Sequence, residues 1–223
     1  MSANIPPRIK QNIFKRAFEI CVKRYDTALN FIFYLPCGGE TSFRERCVKF
    51  AGLTAGDWIL DLCCGTGELT TVIGSQGFAV NLVGLDISEK AIEIAKTKDR
   101  HLPITFLRAS ADSLPFKSSR FDKCFISFGL HHMSKHERQK TLSEIRRTLS
   151  PKGTLYVIDY NSPERGLTRL AAITFTKFDQ SKEAYEILKK GSLTGEIKQA
   201  GFGIKKRVLT CRGIIQLLEA VKW

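Results

Sequence analysis

Between residues 57 and 160 of this 223-residue chain, short apolar runs alternate with longer amphipathic stretches. Trp58-Ile59-Leu60-Asp61-Leu62, Val80 to Leu85, Ile104-Thr105-Phe106-Leu107, Lys123 to Phe128 and Thr154 to Ile158 are too short for helices and predict five strands. Apolar positions at helical spacing between them predict helices opening at about Gly67, capped by Ser88 and reaching about Thr97, and running from His136 to Leu149. Pro151 and Gly153 stop the last of these. Ser42-Phe43-Arg44-Glu45 has the form of a capping box and predicts a helix from Ser42 to about Ala51. Further upstream, Ile9, Ile13, Phe14, Ala17, Phe18, Cys21, Val22 and Tyr25 form one apolar stripe, flanked by Lys10, Lys15, Arg16, Lys23 and Arg24; this predicts a basic amphipathic helix. Beyond residue 160 a helix is expected over about 183–200. Ile204 to Leu209 and Ile214 to Val221 then follow as strands with no helix between them.

Strands separated by helices require crossover connections, so the central region reads as a parallel sheet covered on both faces. The last two strands can pair directly as a hairpin. The expected fold is therefore α/β: a Rossmann-like, seven-stranded, mostly parallel sheet with helices on both faces, an antiparallel hairpin as its last strand pair, and an N-terminal helical cap. Residues 1–50 form the cap in this reading and residues 51–223 one compact unit. Composition agrees, since 43% hydrophobic and 26% charged residues lie in the ordinary globular range. No run approaches the roughly 18 apolar residues of a membrane span. The first seven residues lack an apolar signal core, and seven irregularly spaced cysteines suit reduced thiols, so a cytoplasmic location is expected.

The net charge of +13 is concentrated at the ends: residues 1–24 carry +5 and residues 163–223 carry +6, leaving +2 between. Basic ends suit nucleic acid, an anionic membrane surface or an acidic substrate.

The chemistry centres on Asp61-Leu62-Cys63-Cys64-Gly65-Thr66-Gly67-Glu68, which follows the first strand and opens a helix. In a doubly wound sheet that turn lies at the crevice where ligands bind. Asp86, nineteen residues after Gly67, ends the second strand, where an acid can hold both ribose hydroxyls. A dinucleotide site is the obvious competitor. Its fingerprint needs a third Gly where this chain has Thr70, and Asp61 and Glu68 would repel a pyrophosphate at the helix N-terminus. Two acids suit instead a cofactor with a ribose, an amino group and a positive centre, as in S-adenosylmethionine.

Ile59 to Gly67 resembles motif I of the class I S-adenosylmethionine-dependent methyltransferases, and Val83-Gly84-Leu85-Asp86-Ile87-Ser88 resembles their next motif. Ser110-Ala111-Asp112-Ser113-Leu114-Pro115-Phe116 with Phe121-Asp122 resembles the segment around the adenine, and Leu149 to Leu155 the turn before the fifth strand. Ile126-Ser127-Phe128-Gly129-Leu130, the pair Tyr25-Asp26 and the tail Leu209 to Trp223 look most like the ubiquinone/menaquinone-biosynthesis C-methyltransferases. The resemblance implies that Gly65, Thr66 and Gly67 face the methionine part and ribose of the cofactor, with Asp61 in the same turn and Asp86 on the ribose hydroxyls. It further implies Ile87 on the adenine face, Ser110 and Ala111 at the adenine edge, Ser127 and Phe128 along the cofactor, and Tyr25 closing over it. The implied partner is a small organic methyl acceptor, with a quinol ring carbon as the specific case.

Departures from that pattern bear on the acceptor. His131-His132 stand where the quinone enzymes typically carry Arg-Asn, Ser110 is a weaker partner for an amino group than Asp or Asn, and the stretch after Tyr160 is shorter. His131 or His132 is a candidate general base, because unperturbed histidine titrates near pH ~6.5 and the fourth strand ends on the acceptor side. With His136 and Glu137 these residues do not reproduce a HExxH site, so no metal is expected. An Asn/Asp-Pro-Pro-aromatic turn for a flipped base is missing after the fourth strand, which argues against nucleic acid. The basic ends also suit peripheral contact with an anionic membrane. The competing readings are an RNA or other small-molecule O- or N-methyltransferase and a non-catalytic S-adenosylmethionine-binding protein.

Overall fold

The computed structural model describes residues 38–98, 101–161 and 193–223. Its elements are α1 (Glu40–Ala51), β1 (Trp58–Leu62), α2 (Glu68–Gly74), β2 (Asn81–Asp86), α3 (Glu89–Lys98), β3 (Ile104–Arg108), β4 (Phe121–Ser127), α4 (Lys135–Thr148), β5 (Leu149–Tyr160), α5 (Leu193–Gln199), β6 (Phe202–Thr210) and β7 (Ile215–Lys222). One seven-stranded sheet has the order β3-β2-β1-β4-β5-β7-β6. β1 to β5 pair in parallel, while β7 runs antiparallel to both β5 and β6. The expected Rossmann-like sheet and its closing hairpin are therefore present.

Alternation along each central strand sends side chains to two cores. Leu60 and Leu62 of β1, Cys124 and Ile126 of β4, and Leu155 and Val157 of β5 meet Leu142 and Ile145 of α4 and Ile197 of α5. Ile59, Phe125, Tyr156 and Ile158 face the other way, onto Phe43, Cys47 and Val48 of α1 and Ile73 of α2. A strand buried on both faces is apolar at nearly every position, which is why these runs stand out in the sequence.

Four local details differ from the sequence reading. Helix α1 starts at Glu40 rather than Ser42, behind Gly39, and no side chain caps it. The capping box belongs instead to α4, where the Ser134 hydroxyl accepts from the Glu137 amide (3.3 Å) and the Glu137 carboxylate accepts from the Ser134 amide (2.7 Å). Strand β5 begins at Leu149, five residues early, because the Pro151–Gly153 segment stays extended across a register shift opposite Phe121 and Lys123. Cys47, Cys63, Cys64 and Cys124 are free thiols as expected, whereas Cys211 is disulfide-bonded. The basic helix over 7–24 lies outside the described residues, as does most of the cap and of the helix expected over 183–200.

Candidate functional site

β1 and β4 are adjacent, and their crossovers leave in opposite directions; this is where an open α/β sheet forms a crevice at its C-terminal edge. Two non-glycine residues in the left-handed region flank that point, Cys63 (φ 59°) after β1 and Phe128 (φ 52°) after β4. The two turns touch, since a Cβ on Gly129 would lie 2.9 Å from the Cys63 Cβ. Such conformations cost about 1–3 kcal/mol each and gather where the surrounding fold imposes them, commonly at ligand sites.

The turn after β1 is tied to the end of β2. The Cys64 amide donates to the Leu85 carbonyl (3.0 Å), the Gly65 amide to Asp86 Oδ2 (2.9 Å) and the Gly67 amide to the Cys64 carbonyl (2.9 Å). Gly67 takes φ +80° as the N-cap of α2, and a Cβ there would meet the Ala95 Cβ at 3.0 Å and the Phe106 ring at 3.1 Å. Glycine at this position therefore also lets the turn seat against α3 and β3.

Asp61 is 1% exposed in this turn. Its Oδ2 accepts from the Thr70 hydroxyl at 2.6 Å, while its buried Oδ1 has no hydrogen-bond partner. Burial pushes its pKa up to about 7; the Thr70 hydroxyl and Arg44 oppose that rise and the charge of Asp86 adds to it. A buried carboxylate with one oxygen unsatisfied suits a cationic donor such as an ammonium group. Asp86 lies at the mouth of the crevice. Its Oδ1 accepts from the Ser88 amide (2.8 Å), burial raises its pKa, and the amides of Ser88, Gly65 and Ile87 oppose the rise. Next to it Ile87 is 54% exposed, so this aliphatic side chain serves no core and lies open to solvent after β2. Thr66 is buried and accepts from Lys98 Nζ (2.9 Å), and Lys98 also pairs with Glu68.

β3 runs into Ala109, whose amide donates to the Asp86 carbonyl (3.0 Å), and this brings Ser110 and Ala111 beside the crevice. The Ser110 hydroxyl donates to Asp112 Oδ1 at 2.6 Å. At the end of β4, Ser127 and Phe128 are half-buried. The Phe128 ring lies 6.3 Å from Phe43 and 5.7 Å from Tyr160, and His131 lies 4.5 Å from Tyr160, an aromatic cluster in which Phe43, Tyr160 and His131 are buried. His131 and His132 occupy a short 3-10 turn after β4. They differ sharply. His131 is 1% exposed and its Nδ1 is 2.8 Å from Asp159 Oδ1, whereas His132 keeps an exposed edge. Desolvation and the neighbouring His131 ring, 3.9 Å away between centroids, push the His132 pKa down.

The structure thus brings Asp61, Gly65, Thr66, Gly67, Asp86, Ile87, Ser110, Ala111, Ser127 and Phe128 to one edge of the sheet, with the two histidines beside them. Tyr25 lies outside the described residues. The sequence reading missed Thr70, Asp112 and Asp159. Thr70 counted only as the missing third glycine, yet it holds Asp61. Asp159 carried the stronger signal, an acid inside the apolar run Tyr156-Val157-Ile158-Asp159-Tyr160, where burial of a carboxylate demands a partner. Burial, with the charges of Asp61 and Asp86 nearby, raises the Cys63 and Cys64 pKa values, so both sulfurs stay protonated beside the crevice.

Comparison with known proteins agrees with this geometry. The profile of the methyltransferase domain family matches residues 59–153. An uncharacterized methyltransferase of Synechocystis is 31% identical over 189 residues, which is 83% of this chain and 85% of that protein. The 2-phytyl-1,4-naphthoquinone methyltransferase of the same organism is 28% identical over 204 residues, 88% of this chain and 81% of its own. Among solved structures, a SAM-dependent methyltransferase from Aquifex aeolicus superposes with a TM-score of 0.62 at 22% identity, over 80% of this chain and 89% of its own, a likeness of fold.

Proposed function

The chain belongs to the class I S-adenosylmethionine-dependent methyltransferases, and from that premise we propose that it methylates a ring carbon of a quinol of the menaquinone or ubiquinone type. The observation that carries the acceptor class is the half-buried Phe128 ring at the end of β4 beside the cofactor turn, held by the buried aromatic cluster of Phe43, Tyr160 and His131; an aromatic face there suits a flat aromatic acceptor. The 28% identity to a naphthoquinone methyltransferase supports the same reading.

The residues present fit the cofactor. Asp86 would take the ribose hydroxyls and Ile87 the adenine face, with Ser110 and Ala111 at its edge. Asp61 would meet the ammonium group; Gly65, Thr66 and Gly67 would border the methionine part and ribose, and Ser127 and Phe128 the sulfonium side; for Tyr25 the resemblance alone implies a role in closing the site. When bound, S-adenosylmethionine supplies an electrophilic methyl: the ring carbon forms a C–C bond as the C–S bond breaks and the sulfur keeps the electron pair. The chain contributes in-line positioning, exclusion of water and a base. His131 or His132 takes the proton of the acceptor hydroxyl, raising the electron density of the ring carbon beside it. Enolisation then returns the displaced ring proton to oxygen, and the imidazolium releases one proton to solvent.

Methyl-labelled S-adenosylmethionine incubated with a reduced naphthoquinol, with phenols and amines as competitors, tests this. Label in a new ring C–CH3 group supports the reading; label only on oxygen or nitrogen refutes it. A lipid-tailed acceptor must be drawn from a bilayer, and the Lys and Arg residues flanking the stripe at 9–25 suit an anionic leaflet, each worth about 1 kcal/mol. We therefore expect salt-sensitive flotation with anionic vesicles that is lost on deleting residues 1–24.

A further inference from the structure

Serine is an undiscriminating neighbour for a nucleobase, because its hydroxyl rotates to meet a donor or an acceptor alike. Ser110 is a serine whose rotation is restrained. It follows β3 directly beside Asp86, since Arg108 pairs with Asp86 in the sheet and the Ala109 amide donates to the Asp86 carbonyl at 3.0 Å. Arg108 reaches back from the same strand end, donating through Nε to the Ile87 carbonyl (3.3 Å) and pairing with Glu89 (3.0 Å). The segment beyond is also fixed. The Ser113 amide donates to the Ser110 carbonyl at 3.2 Å and closes a turn over residues 110–113. The amide of buried Leu114 donates to Glu144 of α4 at 2.8 Å, and Arg147 donates to the carbonyls of Leu114 (3.1 Å) and Phe116 (2.7 Å). Within this pinned turn the Ser110 hydroxyl donates to Asp112 Oδ1 at 2.6 Å, and both residues are half-buried, open on one side to a ligand.

We propose that Asp112 is a positioning residue that makes Ser110 an obligate acceptor, and that the pair selects a purine carrying a 6-amino group over one carrying a 6-oxo group. A carboxylate accepts hydrogen bonds and does not donate them, so the hydroxyl hydrogen of Ser110 is committed to Asp112. Towards a ligand Ser110 then presents only lone pairs, and a hydroxyl that donates to a charged group is itself the stronger acceptor. An amino group brings hydrogens to that oxygen. A 6-oxo group brings lone pairs against lone pairs and leaves both oxygens without a donor. The acid two residues on thereby supplies what serine lacks as a partner for an amino group. The inference rests on the S-adenosylmethionine reading of the crevice and is independent of the methyl acceptor.

The test titrates the full chain calorimetrically with S-adenosylhomocysteine and with its 6-oxo counterpart, S-inosylhomocysteine, and reads the ratio of the two affinities. The wild type is expected to prefer the 6-amino compound by about tenfold or more. Asp112→Ala frees the hydroxyl to donate and brings the preference below about threefold, as does Ser110→Ala by removing it. The double variant matches Ser110→Ala, because Asp112 acts through Ser110. Asp112→Asn, whose amide can donate to Ser110 as well as accept, lowers the ratio at least about twofold. A merely structural role would weaken both compounds together and leave the ratio where it was. An unchanged ratio in Asp112→Ala, or in Asp112→Asn where the alanine variant does not fold, overturns the proposal, as does a wild-type preference below about threefold. Binding of neither compound by the wild type removes the cofactor reading and this inference with it; tight S-adenosylhomocysteine binding with an unmoved ratio removes this inference alone.

Discussion

Asp86→Ala is the substitution whose cost can be worked out most completely. The carboxylate has two duties in the fold, accepting the Gly65 amide through Oδ2 (2.9 Å) and the Ser88 amide through Oδ1 (2.8 Å). Each oxygen keeps a further lone pair for a ribose hydroxyl. A hydrogen bond to a charged group is worth roughly 1.5–3 kcal/mol, so losing the acceptor of both hydroxyls should weaken cofactor binding about tenfold to a hundredfold. Loss of the two amide bonds should destabilise the fold by about 1–3 kcal/mol, since the site is only half-buried and water can replace part of the carboxylate. The two effects separate experimentally. Titration calorimetry with S-adenosylhomocysteine reads the first, and urea denaturation of the ligand-free protein reads the second. Asp86→Asn supplies the control, keeping one carbonyl acceptor, and should fall between wild type and Ala in both. Full cofactor affinity in a folded Asp86→Ala protein would refute the placement of the ribose at the end of β2.

Asp61, with its pKa raised to about 7, is protonated in the ligand-free protein below that pH while the unfolded chain ionises near pH ~4. Stability contributed by this group is therefore full below pH ~4 and declines as pH rises toward 7, a slope that Asp61→Asn should flatten in denaturation series. A cationic amino group beside Asp61 favours the ionised form, so cofactor affinity should rise between pH 5 and 7 with proton release, detectable as a buffer-dependent heat of binding. Gly67→Val places a Cβ against Ala95 and Phe106 at φ +80° and should cost about 2–4 kcal/mol, measured as a lowered Tm. Arg138, 3% exposed, donates to both oxygens of Glu196 (2.6 and 2.9 Å) and to the Met133 carbonyl (2.6 Å); Arg138→Ala should cost about 3–5 kcal/mol in urea denaturation by leaving a buried carboxylate behind.

The sheet was legible because its central strands are buried on both faces and so read as short apolar runs between helical stretches. Their ends were less legible. β5 gains five residues at its start because an extended Pro151–Gly153 segment continues the pairing, and local sequence cannot distinguish that from a turn. Ser42 and Ser134 present the same capping signature, yet of the two only Ser134 caps a helix, since the backbone turns in three residues earlier at Gly39 and leaves Ser42 inside α1. At the site, the glycine turn and Asp86 are set by short-range spacing and were visible. Thr70 with Asp61 joins a strand to the helix after it, and Asp159 with His131 joins neighbouring strands 28 residues apart. Pairings of that kind follow from sheet order, which a linear pattern does not encode.

The arrangement of charge at the crevice explains why a doubly wound sheet of this kind takes a sulfonium cofactor and not a dinucleotide. In dinucleotide sites the amides at a helix N-terminus are left free for phosphate oxygens. Here the Gly65 amide is taken by Asp86 and the Gly67 amide by the Cys64 carbonyl, so the turn offers fewer donors to an anion. Asp61 adds a buried oxygen with no donor, and its burial, which raises its pKa, makes ionisation costly until a cation is beside it. Lys98 does not reverse this, because its ammonium is directed to Glu68 and Thr66. A pyrophosphate would meet two carboxylates and an already satisfied turn. An ammonium and a sulfonium meet the same carboxylates as partners, and the left-handed Cys63 and Phe128 turns hold both sides of the crevice in that geometry before any ligand arrives.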